Sequence, residues 1–136
     1  MQISHITNWN NLPWGKIRER VCELQKHIYQ AAKECNLYKT FKLQQHFLQS
    51  SDAKIIAIQE ISNYILEYYS SYTNQTYYLN NSDKFIIYQS LFNNCIDNTN
   101  LKIIIEKVKE YIRYMCLEPE WKAKFKNINT KQSNDL

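Results

Sequence analysis

Trp14, Ile17, Val21, Leu24, Ile28, Ala31 and Cys35 follow one another at alternating steps of three and four. That period lays a single apolar stripe along an α-helix for more than three turns, and a half-buried strand, which alternates every second residue, cannot produce it. The chain has one Gly and two Pro in 136 residues, so the tight hairpins and bulges that sheets require have few places to form. Helical periods recur downstream. The sequence therefore predicts an all-α fold, a compact bundle of about five helices plus a short C-terminal helix, with no sheet.

The first helix is expected to start after Asn11, with Pro13 in its first turn where the missing N–H has no partner to lose. It runs to about Glu34, and its seam would bury seven side chains, each contributing about 1.5–3 kcal/mol if fully buried. A second helix carries Phe41, Leu43, Phe47 and Leu48 and ends at Ser50. Ser50 or Ser51 then caps a third, with Asp52 opposing the helix dipole and Ile55, Ile58, Ile61, Ile65 and Leu66 as the buried stripe. Ser82 and Asp83 open a fourth, with Phe85, Ile86, Leu91, Phe92 and Cys95 on or near its buried side. A fifth spans about Leu101 to Leu117, with Ile104, Val108, Ile112 and Met115 facing the core. Pro119 is expected to stop it and seat a short helix in which Trp121 packs on Phe125. Residues 1–126 read as one helical domain, and 127–136 as a mobile polar tail.

Cys22, Cys35, Cys95 and Cys116 show no Cys-x-x-Cys spacing, and three of them fall on predicted apolar faces, which reads as buried free thiols. With His5, His27 and His46 they make no metal-ligand pattern, so no metal and no cofactor are expected. No Ser-His-Asp or Cys-His arrangement and no Gly-rich phosphate loop can be assembled, and Glu118 and Glu120 flank a helix start where they serve the dipole. The chain reads as not an enzyme, without a small-molecule substrate. It has no stretch of eighteen uncharged apolar residues and no apolar N-terminal run, so it is expected to be soluble, intracellular and not membrane-spanning. The abundance of Asn, Ile, Lys and Tyr suits an A/T-rich genome, and the expected location is an organelle, the plastid stroma first.

The net charge of +4 is unevenly spread. Residues 16–54 hold eight Lys or Arg against four Asp or Glu, residues 102–131 again eight against four, and residues 55–101 one against four. Basic blocks of this kind attract a phosphate backbone if they fold onto one face, although mixed charge is equally the mark of a solvated surface. Between them, residues 63–81 are dense in Tyr, including Tyr64, Tyr68, Tyr69, Tyr72, Tyr77 and Tyr78, and contain no Lys or Arg. Base-stacking platforms interleave aromatics with cations, so core packing ranks first there, a protein-binding surface second and stacking third.

The order Trp9, Trp14, Val21, Leu24-Gln25, Ile28, Ala31 or Ala32, then Leu43-Gln44 and Ser-x-x-Ala-Lys at Ser50 to Lys54, resembles the N-terminal domain of group II intron reverse transcriptases, the maturases. The resemblance continues through residue 62. A second block, Leu117-Glu118-Pro119-Glu120-Trp121-Lys122-Ala123-Lys124-Phe125, is similar to that family's Leu-Glu-Pro-Glu-Trp-Glu-Ala-x-Phe, with Glu106-Lys107 and Glu110 standing where the family has Asp-Arg and Gln. Elsewhere the chain departs. Gln59-Glu60 replaces a basic position, and Asp97 to Lys102 stands where the family carries Gly-Val-Asp-Gly and Arg-Pro-Leu-Gly-Ile-Pro. No Asp-Asp pair occurs to hold the two magnesium ions of phosphoryl transfer, and the chain ends at Leu136 before the palm region, so polymerisation is not expected.

The resemblance implies anchoring on structured RNA. Carried over residue by residue, it nominates Lys16, Arg18, Arg20, Lys26, Lys39, Lys42 and Lys54 as RNA contacts, and the second block adds Lys107, Lys109, Arg113, Lys122 and Lys124. On this reading the chain is a non-catalytic RNA-binding remnant of a maturase. The alternative is a co-opted structural or adaptor subunit of a larger organellar assembly, bound through Tyr68, Tyr69, Tyr72, Tyr77 and Tyr78.

Overall fold

The structure is a computed structural model that describes residues 3–72, 78–93 and 99–134, with side chains described over 3–68, 78–93 and 101–125. Its elements are a 3-10 turn at Trp9–Asn11 and five helices: α1 Trp14–Lys33, α2 Leu37–Leu48, α3 Ser51–Tyr72, α4 Asn81–Asn93 and α5 Thr99–Asn134. There is no strand among the described residues, and the all-α reading holds. Tyr77, Cys95 and the last two residues of the predicted tail lie outside the described residues, as do the side chains of Tyr69 and Tyr72.

The chain divides into two compact units, one made of Met1–Trp14 with Lys54–Tyr111 and the other of Gly15–Ala53 with Ile112–Leu136. In the first unit, the 3-10 turn is held by Asn8, whose side chain accepts from the Asn10 amide. The indole N–H of Trp14 donates to the Trp9 carbonyl at 2.9 Å, and the Trp9 amide donates to Asn81 Oδ1 at 3.2 Å. Trp9 is thereby locked into the core. Asn80 and Asp83 cap α4 reciprocally: the Asp83 amide donates to Asn80 Oδ1 at 2.8 Å, and the Asn80 amide donates to Asp83 Oδ2 at 3.3 Å. This places the start of α4 slightly before the predicted Ser82. It also turns inward a face other than the expected one, with Lys84, Ile87 and Ser90 buried while Ile86 and Phe92 are exposed. On α5 the expected Val108, Ile112 and Met115 are buried, with Leu101 and Ile105 in place of Ile104, which is only half-buried.

Along α3, every residue from Ala53 to Ile58 is buried. A helix apolar on one face only cannot do this, so this stretch is enclosed on all sides, which a single stripe of isoleucines did not suggest.

In the second unit α1 buries Ile17, Val21, Ile28 and Ala31, whereas Trp14 and Leu24 of the predicted seam are only half-buried and Cys35 is exposed. Cys35 leaves the helix because it closes it. Its φ is 57°, its amide donates to the Ala32 carbonyl and the Asn36 amide to the Ala31 carbonyl, both at 3.0 Å, which is the Schellman pattern. Asn36 then caps α2 by accepting from the Lys39 amide at 3.1 Å. Cys22 is exposed as well, so of the thiols read as buried only Cys116 is so among the described residues.

Pro119 lies inside α5 and does not end it, and no separate C-terminal helix follows. A proline there has no N–H for the carbonyl four residues back, that of Met115. Gln25 Nε2 supplies the missing donor, at 3.0 Å from the Met115 oxygen. With that carbonyl satisfied and Pro119 and Ala123 buried, the helix continues. Trp121 and Phe125, expected to pack together, are both exposed. Backbone helix runs on to Asn134, past the residue at which the sequence suggests order ends.

The left-handed conformation of Cys35 costs a side-chain-bearing residue about 1–2 kcal/mol and costs glycine almost nothing. Cys35→Gly should raise the free energy of unfolding in urea by up to about 1 kcal/mol, after glycine's greater unfolded-state entropy is set against it. A loss of stability would contradict the assigned cap.

Candidate nucleic-acid interface

The second unit is assembled around the Leu-Gln pairs and the Leu-Glu-Pro-Glu block. Gln25 reaches the Met115 carbonyl, and Gln44 Nε2 donates to Glu120 Oε2 at 2.7 Å while its own carbonyl lies 3.5 Å from Cys116 Sγ. Lys124, one turn on, reaches the other oxygen of Glu120 at 2.9 Å. The Lys124 ammonium and the Gln44 amide together hold the Glu120 carboxyl below the usual carboxylate range. Glu118 is lowered in the same way by Lys122 and then by Tyr114. Burial pushes the Cys116 thiol up to about 11, so it stays protonated and inert. These contacts tie α1 and α2 to the same turns of α5.

Arg20 is exposed and is joined to α3. Its Nε and Nη2 donate to the two oxygens of Asp52 at 2.8 and 3.1 Å, a bidentate fork beside the Ser50 hydroxyl that caps α3. That hydrogen bond and the Asp52 charge raise the guanidinium pKa further. Other nominated cations are also paired: Lys26 with Glu23 at 3.5 Å, Lys122 with Glu118 and Lys124 with Glu120. Such exposed pairs leave the side chains free to exchange partners at little cost. Lys16, Lys39 and Arg113 are exposed and make no ion pair among the described residues. Lys42 sits over the Tyr38 ring, 5.4 Å from its centroid, and Arg18 is exposed. A cleft of about 340 Å³, lined by Cys22, Gln25, Lys26, Tyr29, Pro119 and Lys122, opens beside the bridged carbonyl.

The remaining nominated cations belong to the first unit. Lys107 is exposed and Lys109 pairs with Glu106 at 3.6 Å. Lys54 is not at the surface: it is 8% exposed, with its ammonium 3.7 Å from the centroid of the Phe92 ring, and desolvation lowers its pKa. Lys84 is buried the same way, donating to Gln59 Oε1 at 3.1 Å with the Trp9 ring 5.7 Å away. The resemblance sets Lys54 among the RNA contacts, and neither it nor the charge pattern reveals that α3 is enclosed on all sides there.

Sorted by unit, the charge separates. The second unit holds twelve Lys or Arg against seven Asp or Glu, a net of +5, and the first holds five against six, a net of −1. Of the Tyr-rich stretch, Tyr64 and Tyr68 are exposed and stacked on each other, centroids 5.6 Å apart and planes 16° apart, and Tyr78 is exposed. Among the described residues no group of His, Cys, Asp and Glu could hold a metal ion, and no helix is long and apolar enough to cross a membrane.

Replacing Lys54 by Met keeps the stem and removes a desolvated charge. Unfolding in urea should show Lys54→Met to be neutral or stabilising, with nucleic-acid affinity unchanged. A marked loss of affinity at unchanged stability would return Lys54 to the interface.

Compared with known proteins, the chain matches neither a curated protein nor a solved structure. Residues 9–91 match the family described as the N-terminal domain of reverse transcriptase. That span holds both Leu-Gln pairs, the Arg20–Asp52 fork and the whole of α1 to α3. It covers more than half of the 136 residues, and the chain belongs to the family of the N-terminal domain of reverse transcriptase.

Proposed function

We propose that the chain is a non-catalytic RNA-binding protein derived from a group II intron maturase, anchored on structured RNA through the second unit. The observation that carries this is the charge separation: the unit built from the Leu-Gln and Leu-Glu-Pro-Glu blocks carries +5 while the rest of the chain carries −1. An excess confined to one unit gives a phosphate backbone a side to approach. Lys16, Lys39 and Arg113 are the leading contacts, with Arg18, Lys26, Lys42, Lys122 and Lys124 around them, and Arg20 acting through its hold on α3. Lys107 and Lys109 carry less weight, because acidic residues offset them in their own unit. Binding of this kind reads the shape and phosphates of RNA rather than base edges, and weakens steeply with salt. The absence of paired aspartates and of a Gly-rich phosphate loop supports a role without catalysis, and the Asn-, Ile- and Lys-rich composition supports an organelle, the plastid first.

The exposed, mutually stacked Tyr64 and Tyr68 favour a second reading, a structural or adaptor subunit of a larger assembly docked through that stretch. Sedimentation of the native protein from its source extract separates the two. RNase treatment should shift it from a heavy fraction to a light one, and RNA binding in vitro should weaken by about 0.7–0.9 in the log–log salt slope for each of Lys16→Ala, Lys39→Ala and Arg113→Ala. A heavy fraction that survives RNase, with no effect of those substitutions, supports the adaptor reading instead.

A further inference from the structure

α2 exposes apolar surface where an amphipathic helix would hide it. Leu37 is 75% exposed, Tyr38 72% and Phe41 57%, while Thr40 and Phe47 are buried. At 100° per residue, Tyr38, Phe41 and Lys42 fall on the side opposite Thr40 and Phe47, so the rings face outward by the geometry of the helix. Tyr38 and Phe41 are three apart and therefore neighbours on that face. Two cations stand among them. Lys39 is exposed and makes no ion pair among the described residues, and the Lys42 ammonium lies 5.4 Å from the Tyr38 ring. The twelve residues of α2 include no Asp or Glu, and the unit they belong to carries +5.

We propose that this face is a stacking platform for unpaired nucleotides of an RNA, with Tyr38 and Phe41 receiving bases and Lys39 and Lys42 the flanking phosphates. The proposal rests on the RNA-binding reading and deepens it, from phosphate attraction to recognition of single-stranded segments. Stacking needs an accessible π-face and a cation within reach of the backbone, and is tolerant of sequence because every base has such a face. The tyrosines of α3 meet only half of that requirement. Tyr64 and Tyr68 cover each other and stand in a segment without Lys or Arg, whereas the α2 rings are exposed and interleaved with lysine, one of which, Lys42, lies over Tyr38. An acidic or apolar protein segment would also fit exposed rings beside cations. The excess of positive charge across the unit favours a polyanion as the occupant.

The test uses the full chain with two probes, a uridine 20-mer and an RNA duplex of the same length, read by fluorescence anisotropy over a range of salt. Tyr38→Ala and Phe41→Ala should each weaken binding of the single strand about tenfold, with its salt slope and the duplex affinity unchanged. Lys39→Ala and Lys42→Ala should each reduce the single-strand salt slope by about 0.7. Tyr38→Trp and Phe41→Trp should keep or raise the affinity, which separates stacking from a folding defect. If both alanine variants bind the single strand as the parent does, the platform is overturned, and the RNA-binding reading survives provided the duplex still binds through Lys16. If neither probe binds the parent, that reading fails along with the platform. A parent dimer that Tyr38→Ala converts to a monomer would assign the face to a second copy of the chain and overturn the proposal.

Discussion

A proline in the middle of α5 removes one hydrogen bond, and the second unit is organised around its replacement. Pro119 leaves the Met115 carbonyl without its helical donor, and the Gln25 side chain reaches over from α1 to supply one. An unsatisfied buried carbonyl costs about 1–3 kcal/mol, a large part of what holds a small domain together. Gln44 adds a second tie from α2 one turn further along, where its amide meets Glu120. The Leu-Gln pairs and the Leu-Glu-Pro-Glu block are ninety residues apart in sequence in the first of these bonds, yet they are two halves of one contact.

That contact bears on function through what it fixes in place. α1 carries Lys16, Arg18 and Lys26, α2 carries Lys39 and Lys42, and the far part of α5 carries Arg113, Lys122 and Lys124. Mutual repulsion among cations on separate helices opposes bringing them together, and the internal pairs at Glu23, Glu118 and Glu120 offset part of it. Arg20 is spent on the same task, since its fork to Asp52 joins α1 to the start of α3. The first unit handles its central cations in the opposite way, burying Lys54 and Lys84 against aromatic rings.

Much of the fold was legible. Helical period and the scarcity of glycine gave the class, Ser50 and Asp52 gave the start of α3, and Val108, Ile112 and Met115 gave most of the inward stripe of α5. The failures share a cause, which is that periodicity reports one face and not what lies opposite it. The six buried residues from Ala53 to Ile58 include Lys54, and no stripe pattern foretells a helix enclosed on every side. Cys35 fits the seam by spacing but closes the helix in a conformation usually left to glycine. Pro119 reads as a stop because the residue that rescues it is remote in sequence. At the candidate interface, the basic blocks located the charge, while pairing, burial and the exposure of Tyr38 and Phe41 depend on tertiary neighbours.

A double-mutant cycle on Gln25 and Pro119, read by urea unfolding, tests the central contact most directly. With Pro119 present, Gln25→Ala should cost about 1–3 kcal/mol, because the Met115 carbonyl loses its donor. In the Pro119→Ala background the helical amide of residue 119 can take that carbonyl, and the same change should cost only a fraction of this. Equal costs in the two backgrounds would contradict the account, because Gln25 would then be supporting something other than the carbonyl that Pro119 leaves open.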